Sequence, residues 1–183
     1  VILFIFIGMA SVHAEDNQDI NSNATKTYSD LSDQINETEN DGTLNLTDDY
    51  KFNDTEDEEL TDGVKISNNI TISGSEDYSY VDGSYLARGF YIESFCNVVL
   101  KNLIFRNAYS NSSGAGIFLE DNSNLTLINC IFQDNIAYNS DGGALDAQSE
   151  TDFKIYNCLF ENNTAIRESE LEWAQFKAGM GSA

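Results

Sequence analysis

The strongest constraint on this chain is a repeat with a period of roughly 27 residues, in the range that marks a repeat architecture. Within Gly114–Ala165, Gly116 returns as Gly143, Leu125-Thr126-Leu127 as Phe153-Lys154-Ile155, Asn129-Cys130 as Asn157-Cys158, and Phe132 as Phe160. Looser copies extend toward the N-terminus. Gly63, Gly89, Gly116 and Gly143 recur at nearly even spacing, and so do Ile72, Leu100, Leu127 and Ile155. Leu44-Asn45-Leu46 aligns with Ile70-Thr71-Ile72, one period further on.

Each unit holds short apolar-polar alternations and no stretch long enough for a packed helix. A single unit cannot bury its apolar face, but stacked units can, each strand pairing with its copy in the next turn at roughly 4.8 Å. The expected fold is therefore an all-β parallel β-helix of about five coils, roughly 24 Å tall at that spacing. The competing antiparallel sandwich also produces many short strands. It does not require the same residue type at the same place in every unit.

The stacked positions say what the fold needs. Asn102, Asn129 and Asn157 align, with Gly74 one turn earlier. Each amide can bond the next as a ladder, and Asn tolerates the left-handed backbone of a tight bend; Gly74 takes that conformation freely. Phe105, Phe132 and Phe160 form a core column. Cys130 and Cys158 fall on adjacent turns, near disulfide range, and are read either as a disulfide or as two buried thiols in equivalent slots. Cys96 has no aligned partner. Whether Ile117 or Phe118 faces inward is left open.

Four segments follow. Residues 1–14 are an apolar run ending in a small-residue site, read as an incomplete secretory signal peptide cut after Ala14. Residues 15–41 are an acidic lead. Within it Tyr28–Ile35 is expected to form a short amphipathic helix, capped by Ser29 or Asp30 and covering the open N-terminal end of the stack, with a disordered linker as the alternative. Residues 42–166 carry the coils. Residues 167–183 lack the ladder Asn, the Gly pair and the strand alternation. There Glu168, Glu170, Leu171, Trp173 and Phe176 suit a short helix over the C-terminal end, or a truncated tail.

Charge limits the partners. The chain has 31 acidic and 9 basic residues, net −22, and residues 15–62 alone contribute 16 acids and 2 bases. Phosphate binding needs clustered Lys and Arg, so no nucleic acid is expected, nor an anionic membrane surface. No membrane span is expected after signal cleavage. His13, the single histidine, would leave with the signal, and the cysteines form no C-x-x-C pair, so no metal or cofactor is expected. Eight N-x-S/T sequons, at Asn23, Asn36, Asn45, Asn53, Asn69, Asn111, Asn124 and Asn162, mark candidate glycosylation sites for a secreted protein.

Gly142-Gly143-Ala144-Leu145 and Phe160-Glu161-Asn162-Asn163 resemble the GGA[ILV] and FxxN signature of polymorphic outer membrane protein repeats. Phe132-Gln133-Asp134-Asn135 repeats the second half. The stretch from Tyr28 to Ala165 is similar to adhesin-like proteins of methanogenic archaea. The resemblance implies a right-handed β-helix, secreted or held at the cell surface, non-catalytic and engaged in adhesion to a surface glycan or protein. Contacts would come from the loops Tyr78–Leu86 and Ala108–Ser113, with Tyr78, Tyr80, Tyr85 and Tyr109 as the stacking side chains. Two alternatives remain. One is a structural stalk. The other is a polysaccharide lyase or hydrolase using carboxylates from Glu93, Glu120, Asp121, Asp141 and Asp146, with Arg88 and Lys101 the nearest bases in sequence.

Overall fold

The computed structural model describes residues 25–167. The expectations for the signal segment, His13, Asn23 and residues 168–183 lie outside the described residues. The chain winds through four sheets in which every pairing is parallel. Sheet I holds Gly42–Asn45, Ile70–Ser73, Asn97–Lys101, Asn124–Ile128 and Asp152–Tyr156. Sheet II holds Thr25–Lys26, Asp49–Lys51, Ser79–Asp82, Leu103–Arg106, Ile131–Gln133 and Leu159–Glu161. Sheet III is short: Tyr109–Ser110, Ile136–Tyr138 and Thr164–Ile166. Sheet IV holds Val64–Ile66, Phe90–Ile92, Ile117–Leu119 and Leu145–Ala147. Five passes through sheet I make five coils of a parallel β-helix.

Alternation decides what is buried. In sheet I, Leu44, Ile72, Leu100, Leu127 and Ile155 stack in register. In sheet II the column Tyr50, Val81, Phe105, Phe132, Phe160 does the same. Phe132 lies 4.9 Å from both Phe105 and Phe160, with interplanar angles of 14° and 5°. In sheet IV, Ile117 and Leu119 face the core and Phe118 faces out, which settles the orientation the sequence leaves open.

Two registers differ from the sequence reading. Leu44 pairs with Ile72, not Ile70, so the first step is longer by two places and Leu46 lies beyond the strand. A slip of two leaves the inward-outward alternation unchanged, so the pattern could not tell the two apart. Gly116 sits opposite Ala144, because Ile117 pairs with Leu145; Gly143 falls one place earlier. The Gly142-Gly143 pair leaves two alignments open, and the sheet takes the one with the longer step.

The turn asparagines form the expected ladder. Asn157 Nδ2 donates to Asn129 Oδ1 (2.8 Å) and Asn129 Nδ2 to Asn102 Oδ1 (3.3 Å), with φ of 50°, 52° and 51° in chain order from Asn157 back to Asn102. Gly74 aligns with Asn102 but is not left-handed. A Cβ there would meet the carbonyl oxygen of Asn102 at 2.1 Å, so close approach explains the glycine.

A second column, not foreseen, runs along the start of sheet I. Asn124 donates to Asn97 (2.7 Å), Asn97 to Asn69 (3.2 Å) and Asn69 to Asp41 (3.1 Å). Asn135 and Asn163, the last residues of the two FxxN motifs, build a third. Asn135 is fully buried; its Nδ2 donates to Phe105 O and Asn163 Oδ1, and its Oδ1 accepts from Ala108 N.

The three cysteines are free. Of the two readings for Cys130 and Cys158 the structure has free thiols, not a disulfide: the Cys130 thiol donates toward Leu100 O and Ile128 O, both at 3.5 Å, and Cys158 Sγ donates toward Tyr156 O at 3.3 Å and accepts from Cys130 N at 3.4 Å.

The N-terminal helix spans Tyr28–Glu37 and begins one residue before the expected cap. Thr27 is the N-cap, in a capping box with Asp30. Tyr28, Leu31 and Ile35 are buried against the first coil, and the Asp57 carboxylate accepts from the first two helical amides at 3.0 and 2.8 Å. The preceding strand Thr25–Lys26 is too short for any sequence signal.

Candidate functional site

One concavity among the described residues is a cleft of about 260 Å³ between the Leu86 loop and the segment Tyr109–Ser112; larger ones, of about 310 Å³ over sheet I at Asn97, Asn124 and Lys154 and about 360 Å³ beside Lys26 and Phe52, contain none of the loop tyrosines. Leu86 forms one side. Tyr109, Ser110, Asn111 and Ser112 form the other, and Thr61 and Asp62 close it from the coil below. The loops are tied together: Tyr85 N donates to Asn107 O at 2.6 Å and Tyr109 N to Ala87 O at 2.9 Å. Tyr85 and Leu86 stand about half exposed, at 49% and 51%. Tyr109 Oη donates to Asn111 Oδ1 (2.7 Å), which fixes the ring and one sequon amide together.

Arg88 carries the floor. It is 2% exposed. Its Nε donates to Gly114 O (3.0 Å), one terminal nitrogen to Asp62 O (2.8 Å), and the other to Ser110 Oγ (2.8 Å), Ser112 Oγ (2.6 Å) and Ser113 O. The guanidinium carbon lies 5.6 Å from the Tyr91 ring and 5.3 Å from the Phe118 ring, which screen it from outside. Its nearest carboxylate is Asp62, at 3.9 Å and largely exposed. Burial lowers the Arg88 pKa, and Asp62 opposes the shift. Ser110 and Ser112 are thus held by a fork of donors, their oxygens occupied from below. The cleft can offer hydroxyls, an amide, an aromatic ring and an aliphatic side chain to a ligand.

The other predicted contacts separate. Tyr85 and Tyr109 belong to the two loops. Tyr80 instead packs on the outer face of sheet II, with the Arg106 guanidinium 3.7 Å from its ring centre, and Arg106 pairs with Asp82 at 2.8 Å. Tyr78 sits in a turn with φ of 71°, away from the cleft lining.

The candidate carboxylates do not converge either. Glu93 and Glu120 occupy neighbouring coils, as expected. Glu120 accepts from the Tyr91 hydroxyl in a short hydrogen bond and from Ser94 N (3.0 Å) and Oγ (2.9 Å). The Tyr91 bond is the largest cause holding the Glu120 pKa below its usual range, followed by Ser94. The same bond raises Tyr91 from 10 to about 12. Glu120 is thereby kept ionised and occupied. Asp141 pairs with Arg167 (2.7 Å), and Asp146 accepts from Gln148. A base does align with this row: Lys65 shares the outward column with Tyr91, its Nζ 5.9 Å from the ring. Lys101 lies on sheet I. Among the described residues no group of three or more His, Cys, Asp or Glu is placed to hold a metal ion, and no helix is long and apolar enough to cross a membrane.

Among the sequons, Asn69 and Asn124 use Nδ2 in the sheet I ladder, Asn36 donates to Ser32 from the helix, and Asn53 accepts from Thr55 N. Asn45, Asn111 and Asn162 are exposed.

Five stacked coils of in-register parallel strands with asparagine and phenylalanine columns define a β-solenoid. Residues 59–160, more than half the chain, match a family described as the right-handed β-helix region, and the chain belongs to that family. Searches of curated proteins and of solved structures gave no match.

Proposed function

We propose that this chain is a non-catalytic, adhesin-like module that works outside the cell and binds a glycan or protein surface through the cleft at Leu86 and Tyr109. The carrying observation is the cleft itself. A half-exposed Leu86, the Tyr109 ring and three hydroxyl or amide side chains meet over a floor locked by Arg88. Aromatic faces stack on sugar rings while hydroxyls and amides match their hydrogen bonds. The resemblance to polymorphic outer membrane protein repeats and to adhesin-like archaeal proteins supports the same reading, as does the leader-like N-terminus.

The test is a glycan and cell-surface protein array, followed by titration of each hit with Tyr109→Ala and Leu86→Ala. The expected result is at least one hit whose affinity falls about tenfold, near 1.4 kcal/mol, in each variant. Hits insensitive to both substitutions, or no hit on the array, would overturn the assignment.

A further inference from the structure

We propose that Phe95 and the carboxylates around it form a docking surface for an arginine-bearing segment of a partner protein, distinct from the cleft at Leu86 and Tyr109. Among the described residues Phe95 is the most exposed large apolar side chain, at 74%. It also sits at φ 66°, in the left-handed region, where a bulky side chain is an outlier. Its counterparts in the next two coils, Asn122 and Glu150, take the same turn at 61° and 57°. Asn suits that conformation and the water around it; a phenyl ring suits neither. Residues 67–69 join Ile66 to Ile70, whereas 93–97 join their partners Ile92 and Val98. The turn one coil earlier is thus two residues shorter and offers Phe95 no counterpart. Neither burial nor backbone preference accounts for the ring, and an exposed aromatic held against both points to a contact outside the chain.

Charge names the partner. Glu93 and Glu120 share a column beside Phe95, and Glu120 accepts from the N and Oγ of Ser94, the residue before it. Asp121 O accepts from Phe95 N at 3.4 Å, and Glu150 lies in the column of Phe95 itself. Burial first, and then Glu93 and Glu120, push the neighbouring Cys96 thiol up. Lys65 is the base that acts on Glu120, and its Nζ lies 5.9 Å from the Tyr91 ring centre. An arginine can stack on an aromatic face and pair with a carboxylate at the same time. The molecule already makes that contact once: the Arg106 guanidinium lies 3.7 Å from the Tyr80 ring centre and pairs with Asp82 at 2.8 Å. Phe95 presents a ring beside carboxylates with no such arginine of its own among the described residues. An exposed aromatic with a polar rim is the layout of an interface anchor. A second copy is the less suitable occupant, because it would bring the same carboxylates together in a chain already at −22.

The test titrates fluorescein-labelled peptides carrying arginine at alternate positions with the full chain, beside the same peptides with Lys or Gln in place of Arg. Sedimentation velocity reports self-association. The arginine peptide is expected to bind, the lysine peptide several-fold more weakly and the glutamine peptide not at all. Phe95→Asn should weaken the arginine peptide about tenfold, Glu93→Gln/Asp121→Asn several-fold, and Leu86→Ala should leave it unchanged. Phe95→Asn should also raise the urea midpoint, because Asn accepts the left-handed turn. No binding of the arginine peptide overturns the proposal. So does affinity that Phe95→Asn leaves intact, which would reduce the attraction to net charge, or binding lost in Leu86→Ala, which would put it in the cleft. A lowered midpoint in Phe95→Asn overturns it as well, since the ring would then serve the fold, and a dimer that Phe95→Asn dissolves would overturn it by making a second copy the occupant.

Discussion

Replacing Arg88 with Met decides whether its buried guanidinium supports the fold or burdens it. Removing a buried cation relieves its desolvation, and apolar replacement of buried ion groups is often neutral or stabilising. Here, however, the charge is held by neutral acceptors that would be orphaned. Gly114 O and Ser110 Oγ lie in buried bonds, while Asp62 O, Ser112 Oγ and Ser113 O are near enough to the surface to take water. Each buried acceptor left unpaired costs about 1–3 kcal/mol. Two of them give about 2–6 kcal/mol, from which the relieved desolvation subtracts; a net loss of about 2–4 kcal/mol is expected. With a urea m-value of about 1–3 kcal/mol/M, the midpoint should fall by roughly 1–2 M, read by far-UV circular dichroism. Arg88→Lys should recover only part of the loss, since an ammonium cannot fork to acceptors on both sides. A Met variant as stable as the parent, or more so, would show that desolvation outweighs the fork and refute the reasoning.

Three further outcomes follow from the same geometry. Asn129→Ala loses both ladder bonds and puts a Cβ residue at φ 52°, whereas Asn129→Gly loses the bonds alone. The Ala variant should therefore be the less stable by about 1–2 kcal/mol in urea unfolding; equal losses would mean that the backbone conformation costs nothing here. Glu120 has its folded pKa depressed, chiefly by Tyr91, so its contribution is present above the ordinary 4.5 and is lost as pH falls through the folded value. Tyr91→Phe should thus flatten the acid limb of the stability profile below about pH 5, and should remove from the ultraviolet titration the tyrosine that ionises near 12. Burial pushes the Cys130 thiol up to about 12, so iodoacetamide at pH 8 should spare it in the native protein and label it in urea. Native labelling would show that the third and fourth coils open readily.

The split between what was readable and what was not has one physical origin. A stacked solenoid presses each side chain against its own copy, so a column tolerates one kind of residue, and Asn102-Asn129-Asn157 and Phe105-Phe132-Phe160 repeat in plain view. Registers were readable only as far as the pattern is asymmetric. The slip of two at Leu44 and the slip of one at Gly143 are the alignments that alternation and a Gly pair leave degenerate. The sheet I ladder escaped notice because Asp41 and Asp152 replace Asn at its two ends. The cleft was unreadable for the opposite reason: Tyr109 and Ser110 stack on Ile136 and Ala137, so the strand recurs there while the side chains that line the cleft do not. Yet one trace was present. Extending the sheet IV register puts Arg88 in a column with Asp62 one coil before it and Ala115 and Gly143 after it. An opposite-charged pair that gives way to residues with almost no side chain is a break in the column, and at that break Arg88 ties neighbouring coils together and anchors the segments that bound the cleft. In a β-helix the copies state how the chain stands up, and a break in a column shows where to look for what it does.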